Sequence, residues 1–225
     1  MSSTSNPTHL IPYDSPSHQR HAAIFGLWVF LVTEILFFGG MIVGYVVYHY
    51  EYPEAFREGS RTLNVWAGGA MTAVLLLGSL LIAVAEHLTE EGDRDNSQSW
   101  RGTAVWRLAV TACLGVVFLG LEFYEYHELI GEGLFPGSQF ARQRFTDLPY
   151  SGRAAELFFL MFFCMTGLHA FHMIVGILLV GGIGTAIQRA RQPERLGNTL
   201  TVIALYWHFV DIVWIFLYPL FYLVR

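Results

Sequence analysis

Five apolar runs, separated by short polar connectors, organise this chain. The first extends from about Ala22 to Tyr50 and carries one charged residue, Glu34. The second, Val65 to Ala85, carries none. The third is clean from Leu108 to Leu121 and is flanked by Arg107 and Glu122; charges near an interface can snorkel, so the run extends to about Thr103–Ile130. The fourth, Leu157 to Ile187, contains His169 and His172 but no acid and no arginine, and the fifth, Thr199 to Val224, contains His208 and Asp211. A helix rises 1.5 Å per residue, so about 20 residues cross a hydrocarbon core of ~30 Å. The pattern therefore predicts spans at about 22–50, 63–86, 103–130, 154–187 and 199–224. Backbone polar groups in lipid must pair within the segment, and the runs are far longer than the ~10-residue alternating strands of a barrel. The expected fold is an all-α polytopic membrane helix bundle of five transmembrane helices. A single membrane domain, 22–225, follows an N-terminal tail, 1–21, rich in Ser, Pro and His. That tail has no apolar h-region, so it does not read as a cleavable signal peptide, and it is expected to be mobile.

Composition agrees. Of 225 residues, 54% are hydrophobic and 14% charged, against about 25% charged in an ordinary soluble domain. A formal net charge of −5 argues against nucleic acid as a partner, which calls for a basic patch. Cys113 and Cys164 both fall inside apolar runs and read as packing residues, with neither zinc-motif nor disulfide spacing. All 13 cationic residues are arginines. They divide almost evenly between the two sides of a five-span topology, so the positive-inside rule leaves orientation nearly open; Arg107 tips it toward an N-terminus inside.

Ionisable side chains in a bilayer cost at least ~2.5–3.5 kcal/mol on the insertion scale and mark functional positions by default. Here they are Glu34, Glu122, Glu125, His169, His172, His208 and Asp211. Glu34 lies about 18 Å along its helix from Ala22, near mid-membrane, as a buried protonatable group or as hydrogen-bonding glue between helices. His169 and His172, His208 and Asp211, and Glu122 and Glu125 are each three apart, hence on a shared helical face. His172 and His208 fall near the depth of Glu34, so either is a candidate partner. Two glutamates, the aspartate and the three histidines among these also raise a di-iron bundle site, which uses Glu-x-x-His pairs; the spans contain no such pair. A bis-His haem and a proton-coupled transporter are the other independent readings. Gly39, Gly40 and Gly44 in the first span, and Gly68 and Gly69 in the second, are expected to permit close helix approach. Trp28, Trp66, Trp106, Trp207 and Trp214 suit interfacial or lipid contact.

Three segments together resemble the subunit III family of haem–copper oxidases. Gly26-Leu-Trp-Val-Phe-Leu-Val-Thr-Glu34-Ile-Leu-Phe-Phe is similar to that family's third helix, with its carbodiimide-reactive glutamate at Glu34. Thr166-Gly-Leu-His169-Ala-Phe-His172-Met-Ile-Val-Gly176 resembles the family's Thr-Gly-x-His-x-x-His-x-x-x-Gly, and Tyr206-Trp-His208-Phe-Val-Asp211-Ile-Val-Trp214 its last helix. Glu125-Tyr126 matches a further pair, although Glu122 stands where the family usually has Gln or Lys. The chain looks like the five-helix form that lacks the first two helices of longer members. The resemblance implies a non-catalytic subunit of a respiratory terminal oxidase, taking electrons from cytochrome c or quinol. No cofactor is expected on this chain itself, with haem and copper held by partner subunits. It implies packing on oxidase subunit I, beside subunit II, with support of proton uptake and of stability during turnover. It also implies phospholipid binding, for which His169, His172, Arg189, Arg191 and Arg195 are the candidates. Glu34, His208, Asp211, Glu122 and Glu125 are the candidate protonatable groups, and no metal ligands are expected. The implied location is the cell's inner (plasma) membrane, N-terminus cytoplasmic and C-terminus on the outer face. A nitric oxide reductase-associated relative is the nearest alternative.

Overall fold

In the computed structural model, residues 16–95, 100–145, 151–190 and 196–225 are described. They form helices α1 (Pro16–Glu51), α2 (Pro53–Thr62), α3 (Val65–Asp95), α4 (Trp100–Gly131), α5 (Ser151–Arg189) and α6 (Gly197–Tyr222), with a short 3₁₀ turn at Arg142–Phe145. Five stretches are long and apolar enough to cross a membrane: Ile24–Glu51, Val65–Thr89, Trp100–Gly131, Gly152–Arg189 and Gly197–Tyr222. They coincide with the expected spans to within about three residues at each end. Most of the expected tail lies outside the described residues, but Pro16 to His21 are already helical, as the first turns of α1.

Helices α3 to α6 form a four-helix core, and α1 lies at its edge against α6 and α5. Each core helix turns a stripe with helical spacing inward. On α4 it is Ala104, Leu108, Thr111, Gly115, Phe118, Glu122, Glu125 and Leu129. The outward faces carry large apolar side chains such as Leu76, Leu80, Val116, Phe171 and Ile174, as expected where the solvent is lipid.

The packing turns on one residue of α6. Trp207 is 1% exposed, and its indole fills the space left by glycines on three neighbouring helices. A Cβ at Gly78 of α3 would lie 3.5 Å from the ring, one at Gly115 of α4 3.0 Å, and one at Gly176 of α5 3.3 Å. Trp214, also 1% exposed, packs edge-to-face on Phe118 at 4.8 Å and donates to Thr72 Oγ1 at 3.1 Å. Trp207 and Trp214 are thus core residues rather than interfacial ones, because small residues opposite them leave room. Trp28, Trp66 and Trp106 are exposed, as expected. The glycines of α1 also differ from expectation: side chains at Gly39, Gly40 or Gly44 would meet nothing within 4 Å in this chain, whereas Gly68 of α3 lies against Tyr218 and Tyr222.

Helix ends are tied by side chains. Asn64 caps α3, its Oδ1 accepting from Trp66 N at 3.0 Å and Ala67 N at 3.2 Å. Arg101 of α4 donates to the carbonyls of Gln188 and Ala190 at the end of α5, supplying positive charge where orphan carbonyls collect. Helix α2 falls in a connector whose composition reads as polar. Pro53 opens it and Glu54 sits in its first turn, both favourable at a helix N-terminus. Ala55, Phe56, Gly59 and Ser60 face inward, and Phe56 packs on Tyr45, at 5.1 Å, and on Phe158, at 5.5 Å. Tyr45 donates to the Leu220 carbonyl at 2.5 Å, which satisfies an orphan acceptor at the end of α6.

Candidate functional site

Six of the seven ionisable residues singled out within the spans fall into three groups. The first joins α1 to α5. Glu34 Oε2 lies 3.2 Å from His172 Nε2, with side chains 18% and 13% exposed. His172 Nδ1 is 2.8 Å from the Leu168 carbonyl, so Nδ1 carries the proton and donates. Nε2 then accepts from a protonated Glu34, or donates to its carboxylate when the imidazole is charged. In either state the pair leaves no isolated ion in the membrane. Phe38 packs edge-on to the imidazole at 5.5 Å, and Tyr206 donates to the His172 carbonyl at 3.1 Å, which fixes the backbone beneath it.

The second group joins α3 to α6. His208 is not the partner of Glu34; its Nδ1 lies 2.5 Å from Ser79 Oγ. Depth alone made His172 and His208 equal candidates, but α6 turns His208 toward α3. Asp211, one turn on and 3% exposed, points toward Ser79 and the Trp207 indole without closing a hydrogen bond to either.

The third group joins α4, α5 and α6 at the Tyr222 end. Tyr222 donates to Glu125 Oε2. Tyr126 donates to Glu122 Oε1 at 3.4 Å and shares a 2.5 Å hydrogen bond with Thr166. Glu122 and Glu125 are 2% and 4% exposed. Tyr126, Thr166 and Tyr222 were not singled out as site residues from the sequence. The useful signal was there: two acids on the inward stripe of a helix need donors, and tyrosines are the nearest ones of the right length.

His169 stands apart. It is 0% exposed and flanked by Phe118 at 5.4 Å and Trp214 at 5.1 Å. With no exposed surface in this chain, its ring does not face lipid, contrary to expectation. The reason is rotational: at 3.6 residues per turn, three residues fall about 60° short of a full turn, so the face expected to be shared is split, with His172 toward α1 and His169 in the core. Arg189 is exposed at the end of α5; Arg191 and Arg195 lie outside the described residues. Among the described residues no three His, Cys, Asp or Glu side chains converge as a metal site.

A bundle of five membrane-crossing helices with paired polar groups between them defines a multi-pass helical membrane protein. Residues 140–224 match the family model described as cytochrome c oxidase subunit III. Over 99% of its length the chain is 29% identical to cytochrome c oxidase subunit 3 of Synechocystis sp., covering 85% of that protein. It is 30% identical to cytochrome c oxidase subunit 3 of Thermostichus vulcanus, over 89% of this chain and 86% of the relative. Quinol oxidase subunit 3 of Bacillus spizizenii is 26% identical over 92% of this chain and 89% of its own length. The chain belongs to the subunit III family of haem–copper oxidases.

Proposed function

We propose that this chain is the non-catalytic subunit III of a respiratory haem–copper terminal oxidase, a cytochrome c oxidase, in the plasma membrane. It packs on subunit I beside subunit II, binds phospholipid, and supports proton uptake and stability during turnover. The observation that carries this reading is alignment with curated oxidase subunits 3 along nearly the whole chain. Haem and copper belong to the partner subunits. The N-terminus is cytoplasmic and the C-terminus lies on the outer face. Arg189, at the end of α5, then lies at the cytoplasmic interface, where arginines attract anionic headgroups. The Glu34–His172 pair supplies the proton-handling element: a carboxyl and an imidazole in contact exchange one proton across 3.2 Å without exposing a bare charge.

Deletion of the chain tests this supporting role. The expected result is membranes that keep the oxidase's haem spectrum but lose oxygen-uptake rate progressively during sustained turnover. Loss restored by the full-length chain supports the proposal. Undiminished turnover without the chain would overturn it.

A further inference from the structure

Among the described residues, the inward stripes of α4, α5 and α6 carry buried polar atoms that close no hydrogen bond: Glu122 Oε2, both ring nitrogens of His169 and, although Asn64 lies beside Glu125 and Ser79 and Trp207 beside Asp211, Glu125 Oε1, Trp207 Nε1 and both carboxylate oxygens of Asp211. These atoms are not scattered. Trp207, Asp211, Trp214 and Tyr222 recur on one face of α6, and Tyr222 meets Glu125. Phe118, one turn before Glu122, touches both His169 and Trp214. Trp207 sits against Gly176 and Gly115. The contacts stack the unpartnered atoms in storeys along a single seam: Glu125 and Glu122 at the Tyr222 end, His169 next, then Asp211 and Trp207. From Tyr222 to Asp211 the seam runs about 16 Å at 1.5 Å per residue.

Buried polar groups are nearly always satisfied, by protein or by ordered water. A neutral imidazole needs one donor and one acceptor, and among the described residues His169 finds neither, with the rings of Phe118 and Trp214 packed beside it. The chemistry along the seam alternates acceptors (carboxylate oxygens), a donor-acceptor (imidazole) and a donor (indole N–H). Water both donates and accepts, and a buried water typically makes about three hydrogen bonds. A metal ion does not fit, since no three ligating side chains converge among the described residues.

We propose that ordered water occupies this seam at His169 and links the Glu122–Glu125 storey to Asp211. The result is a hydrated hydrogen-bonded file from the Tyr222 end to the middle of the membrane. It is separate from the Glu34–His172 pair, which lies on the α1 side of α5. A connected file of this kind is the physical requirement for moving protons through the bundle interior.

Pulsed hydroxyl-radical footprinting tests this, because radicals formed from bound water oxidise adjacent side chains that bulk solvent does not reach. The full-length protein is used in its native membrane assembly. Phe118, Phe158 and Phe56 are all 0% exposed, but only Phe118 borders the seam. Phe118 and Trp214 are expected to be oxidised several-fold faster than Phe158 and Phe56. In His169→Phe, labelling of Phe118 and Trp214 should fall to the Phe158 rate while Tyr126 keeps its own. Equal rates for Phe118 and Phe158 in the native protein would overturn the proposal even if the variant fails to fold. Unchanged Phe118 labelling in a folded His169→Phe protein would overturn it as well. Neither outcome depends on the oxidase assignment, which copurification decides.

Discussion

A carboxyl in the middle of an apolar helix needs a partner close enough to share its proton, and for Glu34 that partner is His172. Glutamine can still donate to Nε2 but offers no carboxyl. Glu34→Gln should therefore leave the chain assembled and remove its labelling by a hydrophobic carbodiimide, as read by mass spectrometry of the α1 peptide. Labelling of that peptide at native stoichiometry would contradict the assignment of Glu34 as the reactive group. The Tyr222–Glu125 hydrogen bond is testable through stability. Tyr222→Phe leaves a buried carboxyl without its donor, at a cost of about 1–3 kcal/mol, and should lower the thermal midpoint. Tyr218→Phe is the control, since its hydroxyl makes only a 3.4 Å contact to the Val65 carbonyl. Single residues were legible in kind and depth but not in direction. Periodicity put His172 and His208 level with Glu34, and only the rotation of α5 and α6 in the bundle decides which of them meets it. The same limit turned His169, read as facing lipid, into a core residue.

Among the elements, the five spans were readable because hydropathy and length act on each helix separately. Helix α2 was not, because its stability comes from burying Phe56 and Gly59 against α5, a tertiary contact that polar composition conceals. Glycine roles show the same division. The close approaches lie around Trp207, at Gly78, Gly115 and Gly176, whereas the small residues of α1 border open space within this chain. Gly115→Val should cost about 1–3 kcal/mol through overpacking, since its Cβ would already lie 2.8 Å from Ile177. Gly40→Ala, inside α1 with nothing within 4 Å, should cost no stability and gain up to about 1 kcal/mol from helix propensity. Thermal unfolding of the two variants in detergent separates the cases; equal losses would contradict the packing described for Trp207.

At the scale of the whole molecule, a core of α3 to α6 is well buried while α1 displays Phe25, Trp28, Leu36 and Val43 outward. That surface costs nothing in lipid, where an apolar face is matched by its solvent. Membership of the subunit III family is what supports the proposed function, in which the chain is one part of a larger assembly whose redox chemistry lies elsewhere. The direct test is to purify the tagged chain from native membranes in mild detergent, record its reduced-minus-oxidised spectrum and identify the polypeptides that accompany it. Haem bands and copurifying oxidase subunits I and II are the expected result. A chain recovered alone, without haem, and binding iron or transporting ions by itself would contradict it.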